Sequence, residues 1–199
     1  EKVAVEVAGG AAISGSRALA AMKHVGLNVA SDPLFTLSYT GVNGGLVIVT
    51  ADDPGLHSSQ NEQDNRYYAL HAKVPMLEPS DSQECLDYTK LAFELSEEYD
   101  TPVLLRTTTR VCHSKSLVTP GVRNDPGVKE YKKDAKKNCM IPAFGKLKHY
   151  VVEERLAKLR EYSDRSPLNR IEWGNRKIGI ITSGISYQHA REVMGDDAS

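Results

Sequence analysis

Apolar and polar positions along this chain follow two rhythms that alternate. Val3, Val7, Ala8, Ala11, Ala12 and Gly15 recur at three- and four-residue spacing, which predicts an amphipathic helix over residues 2–15. Its face is made of small residues, Ala8, Gly9, Ala11, Ala12 and Gly15, so the helix is expected to pack closely against a neighbour. Arg17–Met22 predicts a short strand. "KHVGLNVASDP" predicts a loop entering a second helix over Val29–Tyr39, which Gly41, Gly44 and Gly45 end. Gly45–Ala51 is a continuous apolar run of strand length. A helix over Asn65–Ala72 and a short strand over Val74–Glu78 follow, the latter ending at Pro79. Residues 80–99 carry helical spacing, with Ser80 or Asp81 as N-cap and Leu86, Leu91, Phe93 and Leu95 turned inward. Pro102 then opens a strand, Val103–Thr109.

Helices and strands thus alternate through residue 110 with short connections. This predicts an α/β fold: a mostly parallel sheet flanked by helices. After Leu117 the pattern breaks. "TPGVRNDPGVKEYKKDAKKN" has few core residues and is expected to be an exposed excursion whose lysines form a solvated face. Val151–Tyr162 predicts a charged helix with Val152, Leu156 and Leu159 inward. "KIGIIT", Lys177–Thr182, predicts a strand that turns at Ser183-Gly184 into a helix, Ile185–Met194. The expected organisation is therefore one α/β domain over 1–118, an excursion and linker helix over 119–175, and the start of a second α/β domain over 176–199.

Composition narrows the function classes. The 199 residues are 40% apolar, enough for a core, and the formal charge is −1, which gives no electrostatic reason to expect nucleic acid or an anionic membrane. No apolar run approaches the ~20 residues of a membrane span. The three cysteines, Cys85, Cys112 and Cys139, are widely spaced and form no CxxC pair. They read as free thiols in a reducing, cytoplasmic compartment. The first residue is Glu1, already inside a helical pattern, and the chain is expected to be a piece of a longer protein.

Chemistry concentrates in one place. The core strand Gly45–Ala51 runs into "DDPGLHSSQNEQDNR", far more hydrogen-bonding capacity than a turn requires. Ligands of parallel α/β sheets bind at the carboxyl ends of the strands. Three segments follow strands here: "KHVGLN", "DDPGLHSSQNEQDNR" and "TRVCHSK". A parallel sheet would bring all three to one edge; the alternative is a set of ordinary polar loops. Other motifs fall away. "GISYQ" does not match a nucleophile elbow, and "GGAAISG" has no strand before it to make a dinucleotide site. His24, His57 and His113 have no metal-ligand spacing.

The segments "EKVAVEVAGG", "MKHVGLN", "ADDPGLHSSQNEQDNR", "MLEPSDSQE" and "TPVLLRTTTRVCHSKS" resemble the pyrimidine-binding domain of the thiamine-diphosphate-dependent 2-oxoacid:ferredoxin oxidoreductases, most nearly the alpha subunits of the indolepyruvate type. "KIGIITSGISYQHAREVMGD" is similar to the start of a transketolase-C-terminal-like domain. The resemblance implies oxidative decarboxylation of an arylpyruvate with coenzyme A to an aryl-acetyl-CoA and carbon dioxide, with electrons passed to ferredoxin in anaerobic metabolism. It implies thiamine diphosphate as cofactor, the carrier of the difficult chemistry. It implies a hetero-oligomer with a beta subunit.

The resemblance also carries site residues. Glu1 falls at the family's glutamate, which hydrogen-bonds N1′ of the aminopyrimidine so that the amino group can take the C2 proton; a small-residue, water-poor setting is expected to raise its pKa. Without the resemblance, Glu1 reads as a first-turn helix acid. Lys23, His24, Gly26 and Asn28 are expected at the cofactor, with His24 donating to a developing oxyanion. His57, Ser58, Gln60, Asn61, Asp64 and Arg66 are expected to wall the substrate or a subunit interface, with Arg66 equally readable as a clamp on Asp64 or Glu62. The diphosphate and magnesium motif and the cysteine runs for [4Fe-4S] clusters are not in the sequence, so Mg2+ and clusters are expected in parts of the enzyme outside this chain, which should be inactive alone. Two other readings stay open: a related oxidoreductase for pyruvate, 2-oxoglutarate or branched 2-oxoacids, and a non-catalytic subunit-assembly module.

Overall fold

The computed structural model describes residues 1–198. The chain runs α1 (Lys2–Ile13), β1 (Ala18–Lys23), α2 (His24–Val29), α3 (Ser31–Thr40), β2 (Leu46–Asp52), α4 (Arg66–Ala72), β3 (Met76–Leu77), α5 (Ser82–Tyr99), β4 (Val103–Thr108), α6 (Thr109–His113), α7 (Ala135–Asn138), α8 (Pro142–Arg165) and α9 (Ile185–Met194). The sheet has four strands in the order β1-β2-β4-β3, every pair parallel. The α/β sheet expected from the alternating rhythms is the one observed.

Side chains alternate across a strand with period two, so each face is legible from the register. Leu46 and Ile48 of β2 and Leu104 of β4 point to the face covered by α1, α2, α3 and α4, where they meet Val5, Ala12, Leu27 and Leu34. Val47, Val103 and Leu105 point to the other face and pack on Ala92 and Leu95 of α5, with Tyr162 of α8 at the margin. Asp81 caps α5 by accepting from the Glu84 amide at 2.8 Å, and the Glu84 carboxylate accepts from the Ser80 amide at 2.7 Å. The first bond satisfies one of the amides that a helix start leaves without partners, and the second ties the residue before the cap to the first turn.

Several expectations are corrected. Helix α1 buries Val5, Ala8, Gly9 and Ala12, and it is Val3 and Val7 that face outward, 68% and 67% exposed. Alanine and glycine carry so little hydropathy that the stripe could be phased either way. "KHVGLN" is the helix α2 rather than a loop, separated from α3 by Ala30 alone. Helix α8 starts nine residues earlier than its apolar pattern, at Pro142, a residue suited to the first helical position.

Lys177–Thr182 forms no strand: a strand needs a ladder, and among the described residues none pairs with this segment, leaving Ile181 fully exposed. The excursion is largely exposed, but two of its lysines are engaged at the amino edge of the sheet. The Lys129 amide donates to the Gly15 carbonyl at 3.0 Å, and Lys137 Nζ donates to the Val42 carbonyl at 2.8 Å and to Asp100 Oδ1 at 2.9 Å.

Candidate functional site

The parallel sheet brings the segments after β1, β2 and β4 to one edge, as the sequence pattern anticipates. The face that is apolar at the amino ends of the strands becomes polar at their carboxyl ends. Beyond Ile48 on β2 come Thr50 and Asp52; beyond Leu104 on β4 come Arg106 and Thr108. The register sets Thr50 beside Arg106 and Asp52 beside Thr108. His24 and Asn65 close over them, and all six side chains are buried.

Arg106 is the cation of this layer. Its Nε donates to Asp52 Oδ2 at 2.7 Å, its Nη1 to Glu78 Oε1, and its Nη2 lies 3.8 Å from Asp64 Oδ1. Asp52 Oδ2 also accepts from the Asn65 amide at 3.0 Å. The Asn65 side chain donates to Thr50 Oγ1 at 2.6 Å and to the His24 carbonyl at 3.4 Å. A buried charge is tolerable only when paired and hydrogen-bonded, and this network supplies both conditions for Asp52 and Arg106.

The loop 53–65 is folded around Asp53. Its carboxylate accepts from four donors: Ser59 Oγ at 2.6 Å, Thr109 Oγ1 at 2.7 Å, the Ser58 amide at 2.8 Å and the His57 amide at 3.2 Å. The Ser59 and Thr109 hydroxyls, then the Ser58 amide, hold the Asp53 carboxyl well below the usual carboxylate range. Lys23 adds a staple from β1, donating to the Ser58 carbonyl with its Nζ 3.9 Å from Asp53. Glu62 closes the other side by accepting from the Gly55 amide at 2.9 Å. The loop is thereby tied down as a platform, with its rim exposed.

The expected site residues distribute as follows. Glu1 stands immediately before α1, exposed, and lies against Gly26 of α2: a Cβ at residue 26 would sit 2.6 Å from Glu1 Cγ and 3.1 Å from Glu1 Oε1. No hydrogen bond or ion pair engages its carboxylate among the described residues. The water-poor setting expected for Glu1 is therefore not supplied by this chain.

His24 is wholly buried, and its Nε2 is 3.0 Å from the Asn61 carbonyl. A carbonyl only accepts, so Nε2 carries the proton and, in the neutral ring, Nδ1 is an acceptor. In this arrangement the N–H of His24 is engaged by the loop. Asn28 is exposed beside Glu1's helix partner Gly26, and its Oδ1 accepts from Tyr68 at 2.6 Å. His57, Ser58, Gln60 and Asn61 form the exposed rim of the platform. Arg66 is a clamp on Asp64, with Nε at 2.8 and 3.0 Å from the two carboxylate oxygens and Nη2 at 2.7 Å from Oδ2.

Asp52, Asp53, Asn65 and Arg106 were not singled out by the sequence. Asp52 and Asp53 stand in the polar run as two acids among many, and Arg106 reads as an interruption in "VLLRTT". Only the signal that a core strand ends in two successive acids could have marked them.

An unpaired carboxylate laid over a glycine, at the carboxyl edge of a parallel sheet, suits a ligand with a basic ring nitrogen. Residues 1–161 match the family described as pyruvate flavodoxin/ferredoxin oxidoreductase, thiamine diP-bdg. The chain is 45% identical over 196 residues to the indolepyruvate oxidoreductase subunit IorA of Archaeoglobus fulgidus, covering 98% of this chain and 32% of that one. It is 49% identical over 197 residues to the IorA subunit of Methanothermobacter marburgensis, with the same coverage of 98% and 32%. It is 48% identical over 202 residues to that of Pyrococcus abyssi, covering 98% and 31%. The chain thus spans about a third of the length of these relatives. Among solved structures, a 2-oxoglutarate:ferredoxin oxidoreductase from Magnetococcus marinus superposes with a TM-score of 0.66 at 17% identity, covering 96% of this chain and 41% of that one, a likeness of fold. With its family matched over residues 1–161, this chain belongs to the thiamine-diphosphate-binding family of the pyruvate flavodoxin/ferredoxin oxidoreductases.

Proposed function

We propose that this chain is the aminopyrimidine-binding part of an indolepyruvate:ferredoxin oxidoreductase, which converts arylpyruvates and coenzyme A to aryl-acetyl-CoA and carbon dioxide. The observation that carries this reading is the Glu1 carboxylate, unpaired and laid on Gly26 at the edge where α2 and the 53–65 platform meet. The similarity to the IorA subunits supports the substrate class. Thiamine diphosphate, when bound, supplies the nucleophilic carbon that attacks the 2-oxo group.

The chain's own residues hold and orient. Glu1 would share a proton with the ring nitrogen N1′ of a bound aminopyrimidine and so hold the ring in the tautomer whose exocyclic nitrogen can take a proton. Gly26 leaves room for that carboxylate to lie against α2, while Asn28 is held by Tyr68 and Lys23 by the Ser58 carbonyl at the same edge. His24 anchors α2 to the platform through the Asn61 carbonyl. His57, Ser58, Gln60 and Asn61 present the rim toward the substrate or a neighbouring subunit, and the Asp64–Arg66 clamp fixes the rim's end. Closure by another domain supplies the dry setting that Glu1 lacks here. Mg2+, [4Fe-4S] clusters, a beta subunit and ferredoxin belong to the assembled cytoplasmic enzyme, and the division into 1–118, 119–175 and 176–199 is part of the same reading.

The test is viologen reduction by the full-length subunit, assembled anaerobically with its partner, with indolepyruvate, coenzyme A and thiamine diphosphate. Wild-type activity that falls at least ~10²-fold in Glu1→Gln supports the assignment. Activity that survives the substitution removes Glu1 from the proton transfer. Turnover of pyruvate or 2-oxoglutarate in preference to indolepyruvate would overturn the substrate class, and no turnover of any 2-oxoacid would favour an assembly module.

A further inference from the structure

We propose that Arg106, which sits under the site rather than in it, is a positioning residue for the cofactor face, acting through Asp52 and Asn65 on the first turn of α2. The inference rests on the aminopyrimidine-binding reading above.

Five hydrogen bonds form the connection, four of them buried. Arg106 Nε donates to Asp52 Oδ2 at 2.7 Å. The same oxygen accepts the Asn65 amide at 3.0 Å. The Asn65 side chain is fixed on Thr50 Oγ1 at 2.6 Å and reaches the His24 carbonyl at 3.4 Å. The His24 ring returns to the platform at the Asn61 carbonyl, 3.0 Å away. His24 is therefore bracketed by the last part of one loop, its carbonyl by Asn65 and its ring by Asn61. Two residues further along α2 stands Gly26, the seat of Glu1. A displacement of Asn65 moves the helix on which the Glu1 carboxylate rests.

The charge pattern shows why the cation must be an arginine. Arg106 faces Asp52 from β2, Glu78 from the end of β3 and Asp64 from the platform, three carboxylates in three directions. A guanidinium meets them with separate N–H groups in a fixed fork; a single ammonium cannot. Asp52 depends on this fork. Its Oδ2 takes both of its donors, while its Oδ1 is buried without a hydrogen-bond partner among the described residues. With lysine at residue 106 the charge remains but the direction of Asp52 is no longer set, and Asn65 loses its fixed acceptor. The substitution leaves every group expected to touch the cofactor intact.

The experiment uses the full-length subunit with its partner and two readouts. The first is hydrogen exchange without cofactor. Arg106→Lys is expected to raise exchange at residues 64–68 and, jointly, at 24–29, while the amides of α5 stay protected. Faster exchange at 64–68 with 24–29 unchanged would overturn the coupling, and a uniform rise across α5 would show a general stabilising role instead. The second readout is the dissociation constant for thiamine diphosphate, with Arg106→Lys, Asp52→Asn and the double variant. Each single change is expected to weaken binding about tenfold or more, and the pair no more than the larger single, because both cut the same link. Additive losses would mean that Arg106 does not act through Asp52, and wild-type affinity in Arg106→Lys would remove it from the site. A wild type that binds no thiamine diphosphate would overturn the aminopyrimidine-binding reading itself, and the exchange readout would still decide the coupling.

Discussion

Glu97 is the most heavily engaged carboxylate at the amino edge of the sheet, and its pH dependence can be worked out from the structure. It lies in the last turn of α5, 15% exposed. It accepts from Arg17 Nε at 2.7 Å and Nη2 at 3.2 Å, and from the Gly45 amide at 3.1 Å, with Lys129 Nζ 3.0 Å away. Burial pushes its pKa up, but Arg17, Lys129 and the Gly45 amide together push it further down, from 4.5 to about 2. The folded value lies below the unfolded one, so the contribution to stability is complete above pH 4.5 and is lost as pH falls toward 2. A shift of that size corresponds to about 3 kcal/mol. Solvent at the margin of the cluster screens the ion pairs, and about 1–2 kcal/mol is the expected net. Glu97→Gln keeps an acceptor for Gly45 and loses the charge. Urea unfolding at pH 7 and at pH 3, wild type against variant, gives the difference free of the other carboxylates. The variant should be about 1–2 kcal/mol less stable at pH 7, with the gap falling to roughly half at pH 3 and closing only toward pH 2. A gap between the two proteins that does not change with pH would refute the reasoning.

Gly26→Ala puts a Cβ 2.6 Å from Glu1 Cγ and 3.0 Å from the Met22 Cβ, so the exposed Glu1 side chain is displaced and β1 gives slightly, while alanine favours the helix. Calorimetric titration with thiamine diphosphate on the full-length subunit should show about tenfold weaker binding, as displaced ligands of this kind usually cost; unchanged affinity would separate Glu1 from the cofactor. Asp53→Asn should release the loop locally. Exchange at the Ser58 amide should rise about tenfold with the β2 amides unchanged, and protection that survives would mean the loop is held elsewhere. Gly15→Ala should detach the excursion from the amino edge, because Gly15 has a φ of +104° and a Cβ there would lie 2.0 Å from the Lys129 carbonyl oxygen. Trypsin should then cut at Lys129, Lys132 or Lys133 several-fold faster than in the wild type, and an unchanged cleavage rate would count against a closely seated strap.

The α/β class and the functional edge were legible because both depend on short-range pattern: alternating rhythms give the elements, and a parallel sheet places all loops of one kind together. What was not legible depends on partners distant in sequence. Arg106 is buried because Asp52, 54 residues earlier, receives its Nε. Lys129 and Lys137 read as solvated charges, and they are engaged because Glu97, Val42 and Asp100 offer acceptors across the fold. His24 could be placed at this edge of the sheet from its motif, but the direction of its N–H follows from the carbonyl of Asn61, a backbone atom with no signature in sequence. The phase of α1 was lost for the opposite reason, a lack of contrast: with Ala8, Gly9, Ala11 and Ala12 in one helix, Val5 rather than Val3 or Val7 decides which side is buried.

The polarity gradient along the strands ties these observations together. On one face β2 reads Leu46, Ile48, Thr50, Asp52, and beside it β4 reads Leu104, Arg106, Thr108. A sheet shaped for stability alone would carry apolar side chains to the end of that face, because a buried ion pair with its hydrogen bonds gains little over well-packed hydrocarbon. What the polar half supplies is direction: each of its links fixes the angle of the next group, from guanidinium to carboxylate, to amide, to the carbonyl at the head of α2. A hydrophobic contact is nondirectional and could not transmit that constraint. The buried charges are thus best understood by where they end. They terminate at the helix that carries Gly26, under the one carboxylate at this edge, Glu1, that lies on a glycine with no protein partner among the described residues.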